Sequence, residues 1–376
     1  MGSVWVTGVG IVSAAGSSAA DVLSGQASQT DWSTFAPYGI RPVVGFDPER
    51  YVPKRGDRRA MSSMMLYAVD AAAQALEGAG ILGDAALLGE TGLLVAAGMS
   101  DRDTSADAAL LEAARGDDQW VRHNAAMQEQ LRPTLFLAQL PNLVAGNISI
   151  LLGVSGMSRT LMGEEMAGAE CIRLGIAQIA GGQRRIMLVG GCFSAERPEV
   201  LASYAAAGLL SRSDGATREA GMVIGSGAAF LVLEDADHAR RRGARPYGQV
   251  VGAATGRADR SAVGPAEQAW QQWQSIVGEE DSASVALVGG ANGSTLLADE
   301  ERAFADRLAA TTDRLVEHRS ATEMFGHLID ASAPARAVVA AMMLGGASGE
   351  GQADRVVCLE WGHGYGESQL VLERVQ

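Results

Sequence analysis

The sequence predicts an α/β protein with a largely buried sheet and a duplicated core. Three observations carry this reading. Short apolar runs bounded by glycine recur along the chain, alanine-rich stretches of helical length separate them, and the order of segments repeats in the second half. Runs of this kind suit strands buried on both faces, and their alternation with helices suits a sheet covered by helices.

In chain order the strand-like runs are Val4 to Val9, Gly92 to Ala96, Arg185 to Val189, Ala229 to Leu233, Val285 to Val288, Val356 to Leu359 and Gln369 to Leu372. Helices are expected over Met64 to Glu77, Met166 to Ala180 and Pro334 to Met343. A helix from about Glu164 to Ala180 leads into the strand ending Leu188-Val189-Gly190-Gly191, and then into Ala229 to Leu233. A helix from about His327 to Leu344 likewise leads into Val356 to Leu359 and then Gln369 to Leu372. This repetition implies an internal duplication, with halves at residues 1–245 and 246–376. Between them the string EDADHARRRGAR (Glu234 to Arg245) reads as a short charged helix closed by Gly243. Residues 255–283 are polar and read as a surface helix and loop.

The 376 residues suffice for two domains or one large duplicated fold. Aromatic residues are only 5% and glycines number 47, so the core must be aliphatic with many close backbone contacts. A net charge of −14 repels phosphate backbones and anionic lipid headgroups, which argues against nucleic acid and membrane as partners. Lys54 is the only lysine among many arginines, a bias that suits a GC-rich bacterial genome. The opening MGSVWVTGVG lacks a basic segment followed by a long apolar one, and no run reaches the roughly 18 residues of a spanning helix. Cys171, Cys192 and Cys358 are too few and scattered for a disulfide framework. A soluble cytoplasmic protein is expected.

Four segments resemble the β-ketoacyl synthases, the condensing enzymes of fatty acid and type II polyketide assembly. VWVTGVGIVSAAG (Val4 to Gly16) is similar to the family's first strand and glycine turn. NLVAGNISILLGVSG (Asn142 to Gly156) is similar to the segment before the nucleophile. GSGAAFLVLEDADHARRRGARPYGQVVG (Gly225 to Gly252) follows the family's glycine strand, helix and strand, and GHLIDASAPA (Gly326 to Ala335) resembles the segment with the second active-site histidine. The resemblance runs from end to end and implies a thiolase fold, a duplicated five-layered αβαβα architecture.

Carried over by position, the resemblance puts Glu165 where the family has its cysteine, Asn292 in place of the first histidine and Thr322 in place of a lysine. Only His327 remains. A condensing enzyme needs a thiolate at a helix N-terminus and N–H donors for an enolate oxygen. Glutamate is a far weaker nucleophile, so acyl transfer is expected to be absent. The residues also allow plain readings: Glu165 as a helix-cap acid, Asn292 as a turn former, His327 as a packed core histidine and His363 as a loop residue of no consequence. His123, His238 and His318 are read in polar helical contexts without metal-ligand spacing.

Cysteine-less paralogues in this family serve as chain length factors, which pair with a catalytic ketosynthase. The resemblance implies that role, of the polyene or highly reducing type, in a heterodimer fed by an acyl carrier protein through its phosphopantetheine arm, with no bound cofactor. The substrate tunnel would be shaped by Ala106, Ala109 and Leu110, at helical spacing in TSADAALLEAARG, and by Phe136. Two rival readings stay open: a malonyl-carrier decarboxylase, since some relatives with glutamine at this position decarboxylate, and a homodimeric acyl-carrier-binding protein without chemistry.

Overall fold

A computed structural model describes residues 2–24, 28–98, 102–115, 118–131, 137, 139–278, 283–312, 315–345 and 353–375. Its main sheet has ten strands: β1 (Val4–Ser13), β2 (Gly92–Ala97), β3 (Ser158–Leu161), β4 (Ile186–Phe193), β5 (Gly227–Asp235), β6 (Gly248–Gly256), β7 (Val285–Gly289), β8 (Leu315–Ser320), β9 (Arg355–Trp361) and β10 (Glu367–Glu373). Their spatial order is β8-β7-β9-β10-β6-β1-β5-β4-β2-β3.

From either free edge to the junction, each half runs through its third, second, fourth, fifth and first strand. Pairing directions repeat as well. β2 pairs in parallel with β3 and β4, whereas β4–β5 and β5–β1 are antiparallel. β7 pairs in parallel with β8 and β9, whereas β9–β10 and β10–β6 are antiparallel. The halves join through a short antiparallel contact that aligns Trp5 with Gln249 and Val6 with Gly248.

Two helices lie between the halves. α2 (Glu165–Ala180) and α4 (Ser332–Gly345) touch each other and strands of both halves, forming the central layer. α4 is buried nearly all round between the two halves of the sheet, which suits its run of alanine and valine, with Arg336 as its one buried charge. α1 (Ser63–Gly78) covers the outer face of the first half and α3 (Pro265–Val277) that of the second. The layers are therefore αβαβα, the thiolase fold. The strands' period of two sorts the core. Leu94, Ala96, Val356 and Cys358 face the central helices, while Leu93, Val95, Val357 and Leu359 face the outer ones.

Every apolar run read from the sequence is a strand, and the three expected helices lie within α1, α2 and α4. β3 and β8 escaped the reading because both are sheet edges with polar sequences, SRTL and LVEHRS; His318 therefore sits on a strand, not a helix. The polar stretch 255–283 holds the expected surface helix, with a buried face that its polar composition concealed. That helix is α3, whose Ala269, Trp270, Gln272 and Trp273 are buried against the second half while Gln271 and Gln274 are exposed.

One close approach positions the functional region. A Cβ on Gly168 or on Gly191 would come 2.4 Å from the Asp330 carbonyl oxygen. Both glycines thereby admit the turn His327 to Ala331 between α2 and β4.

Candidate functional site

Three chain reversals converge at the N-terminus of α2. The first leaves β3 through Gly163 and Glu164 and enters α2 at Glu165. Glu164 is held at φ 54°, ψ −136°, a conformation that residues with a Cβ rarely adopt. The second carries His327 after Gly326 (φ 80°). It is pinned on both sides, because His327 N donates to Val223 O at 2.9 Å and Gly225 N donates to His327 O at 3.0 Å. The third is the loop between β9 and β10, closed by Gly362 N donating to Gly366 O at 3.0 Å, which presents His363.

These turns bring Glu165, His327 and His363 into contact. Oε1 of Glu165 accepts from His327 Nε2 at 2.8 Å, His363 Nδ1 at 3.0 Å and the His363 backbone N–H at 3.1 Å. Glu165 is 3% exposed and His327 is fully buried. The Ser332 hydroxyl lies 3.4 Å from His327 Nδ1 and accepts from Leu328 N at 3.0 Å, so its own proton is directed at Nδ1. That leaves the Nε2 proton of a neutral imidazole for Glu165.

The electrostatics agree with this assignment. Burial raises the Glu165 carboxyl, but the hydrogen bonds from His327 and His363, and then electrostatic attraction, outweigh it and hold the group well below the ordinary carboxylate range. The helix N-terminus favours the same anion. Burial lowers His327 despite the attraction of Glu165. The hydrogen bond to Glu165 raises His363. The cluster thus sets a buried carboxylate between two imidazoles, one shifted toward its charged form at position 363 and one toward its neutral form at position 327.

A second ring of polar groups surrounds it. Tyr204 donates to Glu164 Oε1 at 3.2 Å, and its ring meets His363 edge-on at 5.4 Å between centroids. Asp330 is 3% exposed, and its Oδ1 has no hydrogen-bond partner. Burial, then the charges of Glu165 and Glu164, push its carboxyl up to about 7. Among the described residues Glu164, Glu165 and His363 alone have ligand atoms spaced as a metal site would need, within 4.8 Å. The Glu165 oxygen, however, already accepts three hydrogen bonds.

Asn292 is buried, and its Oδ1 accepts from Ser294 N at 3.1 Å, which spends it on its own turn. Thr322 donates to Ala291 O at 2.5 Å, so this threonine fastens the Asn292 loop. Ala106 is buried while Ala109 and Leu110 are half-buried, all on the helix Thr104–Ala113. Phe136 lies outside the described residues. The reading of His363 as a loop residue of no consequence is corrected: its ring and its backbone N–H both bond Glu165, and the ring is held toward its charged form. A histidine between two glycines in a tight loop was the available signal, but the sequence does not show which element that loop faces.

Residues 4–239 match the family described as beta-ketoacyl synthase, N-terminal domain. The chain belongs to the β-ketoacyl synthase family. This ketosynthase relative is 28% identical over 373 residues to 3-oxoacyl-[acyl-carrier-protein] synthase 2 of Vibrio cholerae, covering 91% of this chain and 86% of that one. Its fold is shared with the ishigamide ketosynthase/chain length factor, at a TM-score of 0.78, 20% identity and full coverage of both chains. It also matches a type II polyketide ketosynthase solved with its acyl-carrier protein and a hexaketide, at a TM-score of 0.77 and 20% identity, over 100% of this chain and 99% of that one.

Within this ketosynthase fold the position opening α2 carries a carboxylate, and its neighbouring histidine donor is engaged by that carboxylate. Cys171 and Cys192 are buried, and burial raises the Cys171 thiol far from thiolate character. No helix among the described residues is long and apolar enough to cross a membrane.

Proposed function

We propose that this chain is a chain length factor, a non-condensing subunit that pairs with an active ketosynthase in type II polyketide assembly of the polyene or highly reducing kind. One observation carries the reading: Glu165, which the resemblance puts at the nucleophile position, takes the His327 Nε2–H for itself. A substrate carbonyl placed there would find an anion, with the His327 Nε2–H already engaged by it. The partner supplies the cysteine and both histidines. Growing chains arrive on an acyl carrier protein, so this subunit binds no cofactor of its own.

The decarboxylase alternative fares worse. An enolate developing beside ionised Glu165 would be opposed by several kcal/mol, on the order of 4 kcal/mol at 4 Å and an effective dielectric of about 20. The homodimeric alternative keeps the same surface but lacks a catalytic partner. Exposed Leu111, Trp120, Val121, Leu140, Ile150 and Met162 concentrate between residues 111 and 162, on adjoining helices and beside the unpaired edge of β3. Exposed apolar side chains, and a strand edge unpaired among the described residues, favour a protein partner. Co-expression with an intact ketosynthase should yield a one-to-one complex in size-exclusion chromatography. Separate elution of the two chains would count against the proposal.

The tunnel follows from the same reading. Ala109 is half-buried on the helix Thr104–Ala113, where a small side chain leaves room. Ala109→Phe is expected to shorten the polyketide made by the reconstituted pair without abolishing turnover. Mass spectrometry of the released acids reads the length. An unchanged distribution at normal turnover removes Ala109 from the tunnel wall.

A further inference from the structure

Away from the Glu165 cluster, a cavity of about 610 Å³ opens between the Asn292 loop, the helix Thr295–Thr312 and β8. Arg41 and Arg218 stand in its wall. Among the described residues neither has a carboxylate within ion-pair distance, although the chain carries a net charge of −14. Arg41 is spent on neutral acceptors: its Nε donates to Thr30 Oγ1 at 3.3 Å, and its Nη1 donates to Ser28 Oγ at 3.1 Å and to the Glu323 backbone carbonyl. Arg218 donates from Nε to Ser211 Oγ at 3.3 Å and lies 5.4 Å above the Trp32 ring. Nη2 of Arg41 and both terminal nitrogens of Arg218 have no hydrogen-bond partner among the described residues.

The other charges on the wall are mostly matched. Arg302 pairs with Asp299 at 3.0 Å, and His318 pairs with Glu301 at 2.8 Å. Glu301 also accepts from Ala291 N at 2.6 Å. Asp306 and the Glu323 side chain are exposed to solvent. Burial, and then the charge of Arg218, lowers the pKa of Arg41 while the solvent-exposed Glu323 carboxylate raises it, so the two cations and this one acid lie within electrostatic reach of one another.

Two like charges held together in a cavity favour an anion that bridges them. Guanidinium forks match the oxygens of a phosphate, and charge-assisted bonds of this kind are the strong ones. The volume falls within the range of small-molecule sites, so it takes more than a bare phosphate ion. We propose that Arg41 and Arg218 form a binding site for a phosphate ester, with the Thr322 and Ser320 hydroxyls on the same wall. The proposal stands independently of the subunit role above. The ester is either the phosphorylated arm of a carrier protein or a free phosphorylated small molecule.

Calorimetry and thermal melts of the full chain would test it, using inorganic phosphate, pantetheine 4′-phosphate and adenosine 3′,5′-bisphosphate against sodium chloride of equal ionic strength. Saturable phosphate binding is expected, with one ester tighter; tighter pantetheine phosphate identifies a carrier arm, and tighter bisphosphate a free nucleotide. Arg218→Gln should weaken phosphate about tenfold while the unliganded chain still melts as a folded protein. Arg41→Gln should act alike, and should it fail to fold, Arg218→Gln decides alone. Arg302→Gln, which removes a charge already paired, should leave affinity unchanged. A chloride response equal to that of phosphate overturns the site. So does full affinity in Arg218→Gln, or an equal loss in Arg302→Gln.

Discussion

His363→Ala is expected to destabilise the protein by about 3 kcal/mol or more, because it strips a buried carboxylate of its cationic partner. Glu165 would keep His327 and one backbone N–H but lose the only positive charge that its hydrogen bonds supply. The loss should depend on pH, with a sign that follows from the two shifts. Glu165 is depressed when folded, so its contribution is present above the ordinary carboxylate value of 4.5 and fades as pH falls toward the folded value. His363 is raised when folded, so its contribution is complete below 6.5 and is lost as pH climbs through the folded value above that. Both contributions are present between these limits. His327, neutral through burial, is common to both proteins and largely cancels in the comparison. Urea midpoints of wild type and variant should therefore differ most near pH 5.5 and converge in alkaline buffer. Equal midpoints at every pH would show that no ion pair forms between Glu165 and His363.

A single surface change should have the largest effect on assembly. Trp120 is 77% exposed in the helix Gln119–Gln130, beside exposed Val121, and the adjoining helix carries exposed Leu111. Obligate interfaces bury on the order of 2,000 Å² or more, and large aromatic anchors dominate their energy. Trp120→Asp should weaken association with the ketosynthase at least about a hundredfold. The folded chain itself should be spared, since the side chain meets solvent. Sedimentation of the mixed chains and a thermal melt of the variant alone separate the two effects. Unchanged association would remove this helix from the interface.

How much of this was legible in the sequence differs between fold and site. Strands such as Leu93 to Ala97 and Val356 to Leu359 are apolar on both faces, so a short run with flanking glycines suffices to find them. Edge strands are half-solvated and polar, and α3 hides two buried tryptophans among glutamine and glutamate, so periodicity alone read them poorly. At the site, the position of Glu165 followed from its distance to Gly190-Gly191, a spacing set within one helix and one strand. Its partners did not follow. His327 lies 162 residues away and His363 lies 198 away, on loops aimed at one point by the duplicated sheet. Asp330 was invisible for a related reason: its carbonyl needs the absent side chains of Gly168 and Gly191, a requirement shared by three distant segments.

The central claim is that Glu165 makes this subunit incompetent for acyl transfer while its partner stays competent. Intact-protein mass spectrometry of the reconstituted pair, after incubation with an acylated carrier protein, tests that claim most directly. The account predicts one acyl adduct, on the partner's cysteine, with this chain at its unmodified mass. A stable acyl adduct on this chain would contradict it.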